Sequence, residues 1–244
     1  MEKRIGLIIL VAVLLVLPAL AYATGTGGEA PAPTEGGEKT LWDMLKAGGT
    51  VGWLIMILSV VGLGLAIEHT VNIRNVKLCP PELVAELEGM VEEGQYEEAL
   101  SLCQANPTLF SNIIGAALSK VSGGYDEMVK AMEEAGEEEA IKLNQKISYM
   151  NLIGLMAPML GLLGTVTGMI RAFTVIEQLK SPSPALLAKG VYEALVTTCM
   201  GLVVAIPALG AYFFFKNKVT KMIVEVGILC GEFIDKFKPQ QQSE

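Results

Sequence analysis

The sequence predicts an all-α membrane protein with three transmembrane helices and long cytoplasmic helical extensions, following a cleavable signal peptide. Three observations lead there. Of the 244 residues, 52% are hydrophobic and only 18% charged, too apolar a balance for an ordinary soluble domain. The apolar residues are gathered into long runs, and the chain starts with a short basic segment followed by an apolar stretch. The net charge of −8 is local: between Thr70 and Met150 stand fourteen acidic and six basic residues, and the rest of the chain is neutral. An acidic segment is thus carried on a charge-balanced apolar chain. No basic stripe exists to neutralise phosphates, which excludes nucleic acid as a partner.

The elements follow in order. Lys3 and Arg4 precede the apolar stretch Ile5 to Leu17, Pro18 and an Ala21-Tyr22-Ala23 tripeptide, the build of a secretory signal peptide cleaved after Ala23. The alternative is a retained anchor, for which the run is short. The linker that follows is rich in Gly, Pro, Thr and Glu and cannot bury enough apolar surface to fold alone. Apolar runs then occupy Val51 to Ile67, Ile147 to Ile170 and Val191 to Phe215, and a span needs about 20 residues. Arg74, Lys77, Lys142, Lys146, Lys216, Lys218 and Lys221 flank these runs on one side, against Lys39, Lys46, Arg171, Lys180 and Lys189 on the other. The positive-inside rule places the N-terminus outside, as a cleaved signal peptide also demands. The expected domains are a signal peptide (1–23), a disordered periplasmic linker (24–40), a first transmembrane helix (41–70) and a cytoplasmic helical domain (71–146). A second transmembrane helix (147–173), a periplasmic loop (174–189), a third transmembrane helix (190–215) and a cytoplasmic C-terminal helix and tail (216–244) complete the chain. Cys79, Cys103, Cys199 and Cys230 show no metal-ligand or redox spacing and read as reduced packing residues, so no metal or cofactor is expected.

In the cytoplasmic stretch, Leu83, Leu87, Met90 and Val91 share a helical face, as do Ala99, Leu100 and Cys103, and then Phe110, Ile113, Ile114, Ala117 and Leu118. A helix from about Asp126 meets no breaker until Pro158, which a membrane span tolerates, and is expected to run to about Phe173. Ser183-Pro184 forms a cap and first-turn pair for the third span. Beyond that span Val219, Ile223, Val226, Cys230, Phe233 and Phe237 recur at steps of four and three. This heptad-like seam suits either packing within the chain or contact between subunits. Glu133, Glu134, Glu137, Glu138 and Glu139 read as a solvated face.

Two constellations lie in the membrane. Gly154, Pro158, Gly161, Thr165 and Gly168 fall on one stripe of the second span, where small residues let helix backbones approach closely. Thr165 is the polar member, although a threonine can satisfy itself on the carbonyl one turn back. In the third span Glu193 stands at the outer edge of the apolar run, Thr197 follows one turn on, and Thr198, Gly201 and Pro207 continue the polar or small side. An ionisable residue bordering a span is costly and marks a functional candidate.

The segments Ala157-Pro158-Met159-Leu160-Gly161-Leu162-Leu163-Gly164-Thr165-Val166-Thr167-Gly168-Met169-Ile170 and Gly190 to Pro207, the latter reading GVYEALVTTCMGLVVAIP, closely resemble the MotA/TolQ/ExbB proton-channel family. The resemblance extends over the three-span layout from about Leu41 to Lys238, and the signal peptide with its linker looks like extended ExbB-like members. It implies a homopentamer in the inner membrane, its second and third spans lining a pore that holds single-span partners of the ExbD or TolR type. In that family the partner supplies an aspartate, ion flow drives rotation, and force reaches TonB-like or TolA-like proteins. On matching positions Thr165, Glu193 and Thr198 would line the ion path; Thr197 is added from helix phase, and Pro207 would shape the helix. Membrane lipid is the surrounding partner. A TolQ-type role in envelope maintenance and a passive scaffold for partner helices are the alternatives. An intramembrane protease has little support, because His69, the only histidine, has no serine or aspartate partner at helical spacing.

Overall fold

The computed structural model describes residues 48–73, 79–178 and 184–238. The signal peptide, the linker, residues 41–47, Arg74, Lys77, Ser183 and the tail from residue 239 lie outside the described residues. Among the described residues, six α-helices run in the order α1 (Gly49–Asn72), α2 (Pro81–Glu92), α3 (Tyr96–Ala105), α4 (Leu109–Leu118), α5 (Tyr125–Gln178) and α6 (Pro184–Asp235), with a 3₁₀ turn at Val121–Gly123. The described residues contain no strand. Among the described residues three helices, α1, α5 and α6, are long and apolar enough to cross a membrane. The long helix expected from Asp126 to Phe173 exists and extends five residues further, passing through Pro158 without a break. Pro207 is likewise inside α6.

The chain divides into two compact units. One comprises residues up to Ala66 together with Tyr149–Tyr212, the other Ile67–Ser148 together with Phe213 onward. The first holds most of the apolar length of α1, α5 and α6. Its outward residues are large and apolar, among them Trp53, Ile57, Val60, Met159, Leu162 and Ile206. So much exposed hydrocarbon suits a lipid or helix-lined environment and not water.

The second unit is a helical layer with a conventional core. α2 buries Leu83, Leu87 and Val91, leaving Met90 half-buried, and Gly94 at φ +79° turns the chain in a conformation that favours glycine. α3 buries Ala99 and Cys103. α4 opens with a capping box: the Thr108 hydroxyl accepts from the Ser111 amide at 3.2 Å, and the Ser111 hydroxyl accepts from the Thr108 amide at 2.8 Å. The helix then buries Leu109, Phe110, Ile113, Ile114, Ala117 and Leu118. Phe110 meets Phe233 of α6 edge-on, with ring centres 5.9 Å apart. The α6 seam is used within the chain: Val219, Val226, Cys230 and Phe233 are buried, Ile223 and Phe237 half-buried, and Met222 and Ile234 join them.

Polar contacts close this layer. Lys236 lies 3.0 Å from Glu92 and 3.4 Å from Glu88, and hydrogen bonding to Glu92 first and Glu88 second raises its pKa. The Tyr125 hydroxyl donates to Asp235 at 2.8 Å. Glu133, Glu134, Glu137 and Glu138 are exposed, whereas Glu139 accepts from Asn112 and Lys142. His69 is 4% exposed, its Nε2 3.1 Å from the Lys146 carbonyl and its ring edge-on to Phe215. All four cysteines are free; burial pushes the thiol of Cys103 up to about 11 and that of Cys230 to about 12.

Candidate functional site

The membrane constellations meet in the first unit, where α5 and α6 pack as an antiparallel pair. Gly154 faces Leu209, Gly161 faces Thr197 and Thr198, Gly168 faces Ala194, and Ala172 faces Gly190, so residue numbers rise on one helix as they fall on the other. The approach is close enough that backbone touches backbone. A Cβ placed on Gly201 would lie 2.5 Å from the Ala157 carbonyl oxygen, and one on Gly161 would lie 3.0 Å from the Thr198 Cα. Membrane helices have no hydrophobic advantage over lipid, so such dispersion contacts and weak Cα–H···O bonds carry the association.

The contact face is rotated slightly from the expected stripe. Gly154, Gly161 and Gly168 lie in it, but the tightest positions between them are Ala157 and Gly164, where the stripe had Pro158 and Thr165. Pro158 and Thr165 are half-buried at its shoulder. A Cβ on Gly164 would collide with the Thr197 side chain. Gly164, Ala157, Ala172 and Gly190 did not enter the expected set. The signal for Gly164 was present, since Gly161, Gly164 and Gly168 are spaced by three and four and share one face.

Each polar residue then has a definite place. Thr165 donates its hydroxyl to the Leu162 carbonyl at 2.7 Å, the local satisfaction its sequence context allowed. Thr197 is 3% exposed and donates to Ala194 in its own helix at 2.7 Å, with the Gly161 carbonyl 3.4 Å away. Thr198 donates across the pair to that same Gly161 carbonyl at 3.1 Å. Glycine at 161 is what brings this carbonyl within reach. Glu193, one turn from Thr197, is half-buried and makes no hydrogen bond or ion pair with any described residue. Pro207 is half-buried further along α6. Among the described residues no group of three or more His, Cys, Asp or Glu could hold a metal ion.

Among the described residues, three helices long and apolar enough to cross a membrane, two of them locked together by glycines, define an integral membrane protein. The family model that matches is the MotA/TolQ/ExbB proton channel family, over residues 105–227, and the chain belongs to that family. It is 28% identical over 191 residues to a putative biopolymer transport protein ExbB homolog of Methanothermobacter thermautotrophicus, covering 78% of this chain and 68% of the relative. It is 30% identical over 142 residues to the Tol-Pal system protein TolQ of Haemophilus influenzae, covering 58% of this chain and 56% of that protein. A solved structure of C. jejuni MotAB aligns over 97% of both chains at 15% identity with a TM-score of 0.47.

Proposed function

We propose that this chain is a stator-like subunit of an inner-membrane proton channel that couples proton-motive force to energised transport across the outer membrane. It assembles as a homopentamer around ExbD/TolR-type single-span partners and works on a TonB/TolA-type protein. Its N-terminus is periplasmic and its second helical unit cytoplasmic. The observation that carries the reading is the glycine-locked α5/α6 contact, crossed by the Thr198 hydroxyl bonded to Gly161, with Glu193 half-buried on the same helix and without a partner among the described residues. A half-buried carboxylate without a partner among the described residues is open to a cation or to a donor from a partner helix. Thr165, Glu193 and Thr198 form the polar side of the ion path. Thr197, directed into the helix contact, holds the geometry behind them. One carboxylate and a few hydroxyls do not cross about 30 Å of hydrocarbon, so the partner helix completes the relay.

The test is proton flux into liposomes containing the full chain and its single-span partner, alongside energised uptake in cells. Glu193→Gln and Thr198→Val leave the assembly intact and abolish both activities; full activity in both variants overturns the reading. A TolQ-type role is favoured by the Haemophilus relative. It predicts that deletion leaves uptake normal and makes the envelope leaky to detergents.

A further inference from the structure

The helical layer of the second unit has a hollow that its own side chains leave unfilled. A groove of about 180 Å³ runs between α5 and α6, lined by Met132 and Gly136 of the one and by Ile223, Gly227 and Cys230 of the other, with α4 beneath. Two glycines make the space. A Cβ on Gly136 would meet only Ile113, at 4.0 Å, and one on Gly227 nothing within 4 Å. An apolar cavity of about 150 Å³ takes up benzene, so this groove has room for one aromatic or branched aliphatic side chain.

The two rims differ in character. On α6 the apolar surface continues outward: Val224 and Ile228 are more than half exposed, and a Cβ on Gly231 beside them also meets nothing within 4 Å. At 100° per residue these positions fall within an arc of about 100° that starts at Gly227. On α5 the rim is acidic. Glu133 lines the groove and Glu137 stands one turn on; both are exposed, and neither forms an ion pair with a described residue. The lysines nearest in these helices are engaged elsewhere, Lys130 with Glu134 at 3.9 Å, Lys142 with Glu138 at 2.8 Å and Lys221 with Glu225 at 3.4 Å. Nor does α2 cover this face. Lys236, which holds Glu88 and Glu92, lies nine residues and so about half a turn round α6 from Gly227. In a unit with a conventional core and a charged surface, an apolar strip rimmed by charge marks a docking site.

The rims select the occupant, which must offer an apolar side chain to the hollow and cations to Glu133 and Glu137. A second copy of this chain fits poorly, since its own stretch from Thr70 to Met150 carries fourteen acidic against six basic residues. The cytoplasmic flank of a single-span membrane protein fits well, because such flanks are enriched in Lys and Arg. We propose that the α5/α6 groove of the second unit seats the basic cytoplasmic flank of the single-span partner, an apolar side chain entering between Gly136 and Gly227 and Lys or Arg pairing with Glu133 and Glu137. This rests on the function proposed above, which supplies the partner and places the unit in the cytoplasm.

The test titrates a fluorescent peptide with the sequence of the partner's cytoplasmic flank into the full chain, held in nanodiscs of neutral lipid. Wild type binds it saturably. Gly227→Leu, which fills the groove, and the double change Glu133→Lys with Glu137→Lys each weaken binding about tenfold, for loss of one buried apolar side chain and of two ion pairs respectively. The same reversal on α2 and α3, Glu86→Lys with Glu97→Lys, leaves affinity unchanged. An equal loss in that control reduces the effect to general attraction between opposite charges and overturns the inference. So does unchanged affinity in Gly227→Leu, or an altered oligomeric state of that variant without partner and with peptide binding intact, which assigns the groove to a second copy. Proton flux by the wild-type complex separates the two readings: flux without peptide binding overturns this inference alone, and absence of flux overturns the channel reading and this inference with it.

Discussion

Adding a single methyl group at Gly201 gives the strictest test of the α5/α6 contact. In Gly201→Ala the new Cβ lies 2.5 Å from the Ala157 carbonyl oxygen, 3.2 Å from the Gly161 Cα and 3.3 Å from the Ala157 carbonyl carbon. All three obstacles are backbone, so no rotamer change relieves them. Carbon and carbonyl oxygen approach to about 3.3 Å at closest, so the helices separate by ~0.8 Å here. Overpacking of this kind costs about 1–3 kcal/mol. The same separation stretches the Thr198 to Gly161 hydrogen bond, now 3.1 Å, beyond bonding distance. An interhelical bond of this type contributes ~0.6 kcal/mol on average in a membrane. The total is a destabilisation of about 2–4 kcal/mol, read as loss of the folded fraction in a reversible unfolding titration in bilayers or mild detergent. Gly210→Ala is the control, because a Cβ there meets nothing within 4 Å. It is expected to be neutral or slightly stabilising, given the helix propensity of alanine. Equal stability of the two variants refutes backbone contact at Gly201.

Two further outcomes concern the second unit. Phe233, 1% exposed and edge-on to Phe110, is expected to cost about 3–5 kcal/mol when changed to alanine, seen as faster amide exchange throughout α4; unchanged exchange there contradicts the core described. Alkali is expected to destabilise this unit. The Lys236 pKa is raised above 10.5 by Glu92 and Glu88, so its contribution is complete below 10.5 and lost as pH rises through the folded value. The Cys230 thiol, held at about 12 by burial against 9.0 when unfolded, favours the folded state less and less as pH climbs between those values. Melting temperatures should therefore be level from pH 7 to about 8.5 and fall above 9, with Cys230→Ala flattening the first part of the fall; a rise with pH contradicts the assignment.

How much of this was legible beforehand depends on the range of the interaction. Helix existence was legible, since the apolar runs and the periodicity of Leu83, Leu87 and Val91 are local patterns fixed by 3.6 residues per turn. The α4 residues from Phe110 to Leu118 were read as one buried face and are buried. The glycine stripe was legible to within about a third of a turn. Whether Pro158 or Ala157 leads the contact depends on the facing helix, which no local pattern contains. His69 shows the same boundary: its partner is the Lys146 carbonyl, 77 residues away, and nothing near it in the chain announces that bond.

The sequence by itself determined the class of protein, because lipid admits only segments that satisfy their own backbone and the chain supplies long apolar helices to do so. It also singled out Glu193, since one carboxylate bordering a charge-poor span is costly wherever the helix packs. Only the tertiary structure decided which hydroxyl turns where. Thr197 and Thr198 are adjacent, yet one bonds its own helix inside the contact and the other reaches across to Gly161. Neighbours on a helix point about 100° apart, and their roles are assigned by the backbone that the facing glycines allow to come close.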